Sequence, residues 1–187
     1  GDAPPLGGLE AARRLGRDDF RNLVALTSLS KRSSVPGLRA GFVAGDAALM
    51  KAFLLYRTYH GSAMSPPVQA ASIAAWSDEA HVVENRALYR EKFARVTPLL
   101  EKVLDVRLPD AAFYLWAAVP EKWRSRGQAA ADDVKFSLDL LAQYNVAVLP
   151  GSLLARSSQG ANPGAGRIRM ALVAGVDECV EAAQRIV

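Results

Sequence analysis

Cysteine is almost missing from this chain: Cys179 stands alone among 187 residues. One thiol cannot close an intrachain disulfide, and it excludes a cysteine-rich zinc site. It fits a reducing compartment, and a cytoplasmic location is expected. Histidine is nearly as scarce, since His60 and His81 are too few for a histidine-based metal cluster. No apolar run approaches the roughly 20 residues of a membrane span, so no membrane partner is expected. The opening residues 1–8 are turn-forming and lack the apolar stretch of a secretory signal. Charge is modest too, with 22% charged residues and a net charge of +4. The basic residues are scattered, with no dense block and no interleaved aromatic stripe. Nucleic acid is therefore not an expected partner.

What the chain does have is apolar residues, 50% of the total, which suit a packed core. Leu9 to Leu15 reads as a short helix. Leu23 to Leu26 is a continuous apolar run, the mark of a strand buried on both faces in a parallel sheet. Gly41 to Ala44 reads as a second strand, and Asp46 as the N-cap of a helix reaching about His60. Ser65-Pro66-Pro67 opens another helix, and Ser77-Asp78 caps a long one from Glu79 to about Leu104. Val83, Leu88, Phe93, Val96, Leu100 and Val103 step along it at roughly helical spacing, and Pro98 is expected to kink it. Beyond it the pattern predicts strands at Val106–Leu108, Phe113–Trp116, Val146–Val148 and Ile168–Val173. Helices are expected over Asp132–Tyr144 and from Val176 onward. The boundary between two parts is drawn near residue 80, giving 1–79 and 80–187. Two parallel strands without sheet neighbours make the first part look like a piece of something larger.

The chemistry concentrates in Ser28-Leu29-Ser30-Lys31-Arg32-Ser33-Ser34-Val35-Pro36-Gly37-Leu38-Arg39-Ala40-Gly41. A buried strand delivers hydroxyls and a lysine to its end, and a Pro-Gly turn brings back an arginine eight residues later. Ligands of open α/β sheets bind at strand ends. A desolvated lysine there can lose its proton, as Schiff-base chemistry requires. Hydroxyls and a guanidinium beside it can take a phosphate. A lone lysine after a strand is ordinarily a solvated loop charge; the whole string is far more specific.

That string resembles the cofactor-lysine signature of the class I aminotransferases, which use pyridoxal 5'-phosphate, in residue type and spacing. The resemblance implies that Lys31 holds the cofactor covalently and is the catalytic residue, while Ser28 and Arg39 bind its phosphate. Ser30 is a further cofactor contact. Gly164 to Leu172 resembles the family's late strand, whose arginine grips the substrate α-carboxylate. Arg169 occupies the matching position, with Arg167 as the competing assignment, since alternation puts both on one face. Asp110 to Trp116 is similar to the strand bordering the substrate pocket, with Ala111 where many relatives carry glycine. Tyr59 to Pro66 is implied to lie near a homodimer interface.

The implied fold is α/β: the C-terminal part of the large cofactor domain, with a parallel or mixed sheet remnant, followed by the small C-terminal domain of fold type I. At finer grain the words Tyr56 to Gly61, Leu149 to Ser152 and Asn162 to Gly164 resemble the N-succinyldiaminopimelate aminotransferases of bacterial lysine biosynthesis. The implied reaction moves an amino group between glutamate and N-succinyl-2-amino-6-ketopimelate, with small amino and keto acids as partners. Another fold type I enzyme (a decarboxylase or carbon–sulfur lyase) and a non-enzymatic regulatory domain are the alternatives. The family's acidic partner for the pyridine nitrogen lies well upstream of the lysine. Only 30 residues precede Lys31, and Asp2, Asp18 and Asp19 are not in its context. The 187 residues are expected to belong to a longer polypeptide and to be inactive alone.

Overall fold

The computed structural model describes residues 6–61, 63–125 and 130–187. Most of the turn-forming opening at 1–8, and Ser62 within the Tyr59 to Pro66 word, lie outside the described residues. The contacts divide the chain between Asn85 and Arg86 into two compact units. Among the described residues no helix is long and apolar enough to cross a membrane.

In the first unit, helix α1 (Gly8–Arg14) leads to strand β1 (Val24–Ser28), the single turn α2 (Leu29–Arg32) and strand β2 (Gly41–Gly45). Helices α3 (Ala47–Tyr59) and α4 (Pro66–Ser77) follow, and then the start of α5 (Ala80–Leu100). The expected parallel arrangement is corrected: β1 and β2 pair antiparallel, from Val24 opposite Gly45 to Ser28 opposite Gly41. The reason is the connection. Residues 29–40 turn back through α2 and a 3-10 turn at Pro36–Leu38, without the helical crossover that parallel neighbours need.

Burial on both faces of β1 is not seen either, since Leu26 is 75% exposed. Antiparallel ribbons with one open face carry no requirement for cover on both. Asp46 caps α3 as expected, its Oδ1 accepting from Ala48 N at 2.8 Å and Leu49 N at 3.3 Å. Its Oδ2 accepts from Asn22 N at 2.8 Å. Pro66 occupies the first turn of α4, where a missing amide costs nothing. Asp78 accepts from Ala80 N at 2.9 Å and so caps α5.

The second unit holds the rest of α5, then β3 (Tyr114–Ala118), α6 (Asp133–Tyr144), β4 (Leu149–Pro150), α7 (Gly151–Leu154), β5 (Arg167–Ala171) and α8 (Val176–Ile186). Its sheet runs β3-β5-β4, antiparallel throughout. Strand alternation sends Leu115, Ala117, Ile168 and Met170 into the core, where they meet Phe93, Val96 and Leu100 of α5 and Phe136 and Leu140 of α6. Arg167 and Arg169 take the other face.

Of the apolar ladder expected on α5, Phe93, Val96 and Leu100 are buried, while Val83, Leu88 and Val103 are exposed. The strand expected at Val106–Leu108 shrinks to one bridge between Asp105 and Ala118. Pro109 follows it and has no amide to extend a ladder. The strand expected at Val146–Val148 appears instead at Leu149–Pro150. Asn145 ends α6 in the left-handed region at φ 54°, and Val146 N donates back to Leu140 O at 3.3 Å. That amide is committed to closing the helix, so pairing starts later.

Candidate functional site

The lysine sits on an excursion from a hairpin. At its base Ser28 faces Gly41 across the ladder, and Leu29 N donates to Ala40 O at 3.1 Å. Leu29 and Ala40 are buried at 0% and 3% exposure, so both ends of the excursion are anchored by packing. A side chain at position 41 would place its Cβ 2.4 Å from Thr27 O, so the strands reach this spacing only with glycine there. Ser28 and Ser30 are half-buried and Lys31 is exposed. The pairing thereby gathers the backbones of Ser28, Ser30, Lys31 and Arg39 at one end of the hairpin.

Arg39 itself is in the left-handed region, φ 50° and ψ 37°, uncommon for a residue with a side chain. Its Nη1 donates to Pro36 O at 2.9 Å, which aims the guanidinium from the turn. Residues 29–40 contain Lys31, Arg32 and Arg39 and no carboxylate. Of these, Lys31 and Arg39 are the donors that suit an anion. The Ser28 hydroxyl makes no capping bond to α2, and so is not committed to that turn.

The two residues after the lysine have partners that the sequence did not reveal. Arg32 Nη1 donates to Ala75 O at 2.8 Å, and its Nη2 pairs with Glu79. Its guanidinium lies over the Trp76 ring, 4.9 Å from the centroid. Ser33 Oγ is 2.8 Å from His81 Nε2, and His81 Nδ1 is 2.6 Å from Asp78 Oδ2. The bond to His81, followed by that to Ala80 N, holds the Asp78 carboxyl below the usual range. The only sequence signal for this cluster was Asp78 three residues before His81 at a helix start.

In the second unit, Arg169 faces Trp116 across the β5–β3 ladder and Leu149 across the β5–β4 ladder. Its guanidinium lies 4.5 Å from the Tyr114 ring centroid, and its Nε is buried without a hydrogen-bond partner. A buried donor left unpaired is costly, and a ligand acceptor would satisfy it. The chain entering β5 is fixed by a relay. Buried Asp133 accepts from Ser152 N at 2.6 Å and Ser152 Oγ at 3.0 Å. Asn162 Nδ2 donates to Ser152 O at 2.9 Å, and Asn162 Oδ1 accepts from Gly164 N at 2.9 Å. The relay ties the Leu149 to Ser152 segment to the Asn162 to Gly164 segment.

Residues 6–186 match the family described as aminotransferase class I and II. A probable aminotransferase of Mycobacterium tuberculosis is 37% identical over 166 residues, which cover 88% of this chain and 35% of that protein. An LL-diaminopimelate aminotransferase of Maridesulfovibrio salexigens is 32% identical over 161 residues, 85% of this chain and 38% of that protein. Among solved structures, an aminotransferase of Neisseria meningitidis is 58% identical with a TM-score of 0.86, covering 97% of this chain and 44% of that one. A probable N-succinyldiaminopimelate aminotransferase of Thermus thermophilus is 29% identical with a TM-score of 0.73, covering 90% of this chain and 42% of that one. The chain thus spans less than half the length of these relatives.

Proposed function

The chain belongs to the class I and II aminotransferases, and from that premise we propose that it carries the cofactor lysine and the substrate arginine of an amino-group transferase. The family depends on pyridoxal phosphate. In this reading Lys31 holds the cofactor covalently, Ser28, Ser30 and Arg39 bind it, and Arg169 takes the substrate α-carboxylate. The observation that carries the reading is the acid-free excursion 29–40, pinned at Leu29 and Ala40, with its lysine and arginine at fixed places. When bound, the cofactor supplies an electron-accepting ring that the protein itself lacks.

The chain's own residues do the rest. Ser28 donates a neutral hydrogen bond and Arg39 a charge-assisted one, which together hold a dianionic phosphate. Arg169 offers two parallel donors and a permanent charge to a carboxylate, and the Tyr114 ring beneath it limits its tilt. A carboxylate oxygen on Nε would also satisfy the unpaired donor. Fixing that end of the substrate fixes which bond at its α-carbon breaks. Once the substrate amine has displaced it, the Lys31 amine would serve as the general base that takes the α-proton and as the general acid that returns it.

The substrate pair is read as N-succinyl-2-amino-6-ketopimelate with glutamate as donor. Support comes from the words at Tyr56 to Gly61 and Asn162 to Gly164, and from likeness to the Thermus protein so described. Two such chains are read as forming a homodimer, with Tyr59 to Pro66 near its interface.

In the full-length enzyme, Lys31→Ala is expected to abolish the absorbance of the lysine-linked cofactor and all turnover. Arg169→Ala is expected to keep the cofactor and lose mainly kcat/KM for amino acids. Transamination at the normal rate by the Lys31 variant would overturn the reading. A larger loss from Arg167→Ala than from Arg169→Ala would exchange the two arginines. Steady-state comparison of succinyldiaminopimelate with acetylornithine, aspartate and aromatic amino acids tests the substrate, and a higher kcat/KM for any of these replaces it. Sedimentation as a monomer at working concentration would remove the dimer.

A further inference from the structure

We propose that Arg32 and His81 are positioning residues for Lys31, holding excursion 29–40 against the segment 75–81 so that the lysine amine is presented in one orientation. This rests on the reading of Lys31 given above. The two residues that follow the lysine are both tied to the junction between α4 and α5, and by independent means. Arg32 makes a hydrogen bond to Ala75 O, an ion pair with Glu79 and a cation–π contact with Trp76. Trp76 in turn packs edge-on against Phe42 of β2, with centroids 4.9 Å apart. Ser33 is tied through His81 to Asp78.

The excursion is thus fastened at its base by β1–β2 pairing and at Arg32–Ser33 by residues far along the sequence. Lys31 lies between those two fastenings. A four-residue turn has little rigidity of its own, because it closes few internal hydrogen bonds. The fastening supplies what the turn lacks. Arg32 suits the role because its side chain is only 17% exposed and its planar head serves a carbonyl, a carboxylate and a ring at once. His81 makes both bonds in either protonation state. Neutral, it donates from Nδ1 to Asp78 and accepts from Ser33; protonated, it donates to both.

The consequence is separable from cofactor binding. Ser28 and Arg39 lie at the hairpin base, so loss of the fastening leaves the phosphate contacts in place while the amine wanders. A misplacement of about 1 Å can cost about a hundredfold in rate.

The test uses the full-length holoenzyme with Arg32→Gln, Arg32→Lys, Ser33→Ala, His81→Leu and Lys31→Ala, each checked for folding by its thermal midpoint. Arg32→Gln and His81→Leu are expected to retain the cofactor and lower kcat roughly tenfold to a hundredfold, with KM changed less than about threefold. The visible circular dichroism of the lysine-linked cofactor is expected to weaken in both. Arg32→Lys should recover part of kcat and of the dichroism, through the Glu79 pair. Ser33→Ala, the loss of a single hydroxyl, should act in the same direction more weakly, and decides the matter if a larger change does not fold. Wild-type kcat and dichroism in folded Arg32→Gln or in Ser33→Ala would overturn the proposal. If Lys31→Ala loses the cofactor band in that case, the fastening alone falls. If Lys31→Ala keeps the band and turns over, the reading of the lysine falls first.

Discussion

Gly41 and Arg39 show how one position conditions another. Glycine at 41 lets β2 approach β1 beside Ser28, and Arg39 leaves the 3-10 turn in a left-handed conformation two residues earlier. Gly41→Ala is expected to push the strands apart and cost about 1–3 kcal/mol, as overpacking does. Chemical denaturation checks the cost, and an unchanged midpoint would mean that the ribbon shifts freely. Arg39→Ala is expected to weaken cofactor retention by the worth of one charge-assisted bond, about 1.5–3 kcal/mol. Cofactor titration of the full-length enzyme checks it; equal affinity would make Arg39 purely structural. These residues were legible in the sequence because their spacing is local. The partnership of Ser33 with His81 was not, since 48 positions separate them and only tertiary folding brings them into reach.

Among the elements, helices were easier to read than strands, because a helix carries its own start signals. Asp46 before α3 and Asp132 before α6 both accept backbone amides as caps. Strands depend on neighbours. The Val146–Val148 run was displaced by the closing bond of α6, and the β1–β2 pair proved antiparallel, which an apolar run does not specify. Asp46 also sets a pH dependence. Backbone bonds from Asn22, Leu49 and Ala48 hold its carboxyl below the ordinary value. A carboxyl lowered by folding stabilises the native state above its unfolded pKa. That contribution fades as pH falls through the folded value. Asp46→Ala is therefore expected to lower the thermal midpoint at neutral pH, with the gap from the parent narrowing progressively as pH falls below the ordinary aspartate value of about 3.9. A gap of constant size across that range would show that the charge is not what stabilises.

On the scale of the molecule, the two units differ in how they bury apolar side chains. The cluster from Phe93 to Ala183 lies wholly in the second unit. In the first, α3 has no buried residue, and Leu54, Leu55 and Ile73 are 71%, 64% and 67% exposed. A polypeptide covering residues 80–187 is expected to unfold cooperatively by itself, with Phe93→Ala costing about 3–5 kcal/mol. One covering residues 1–79 is expected to bind a hydrophobic dye and melt without a sharp transition. A sharp transition in the first piece and none in the second would reverse this assignment. The division between the units falls inside the continuous helix α5, where no turn or linker marks it in the sequence.

The hairpin base also separates the ribbon from what it carries. The two ends of the lysine excursion sit one hydrogen bond apart, Leu29 to Ala40, so the segment is an insert with its own closed doorway. Changing its length leaves the ribbon's register untouched, and even doubling a flexible loop costs only about 0.6 kcal/mol of closure entropy. A substitution confined to the tip at Ser34 or Val35 is therefore expected to leave the β1–β2 ladder paired.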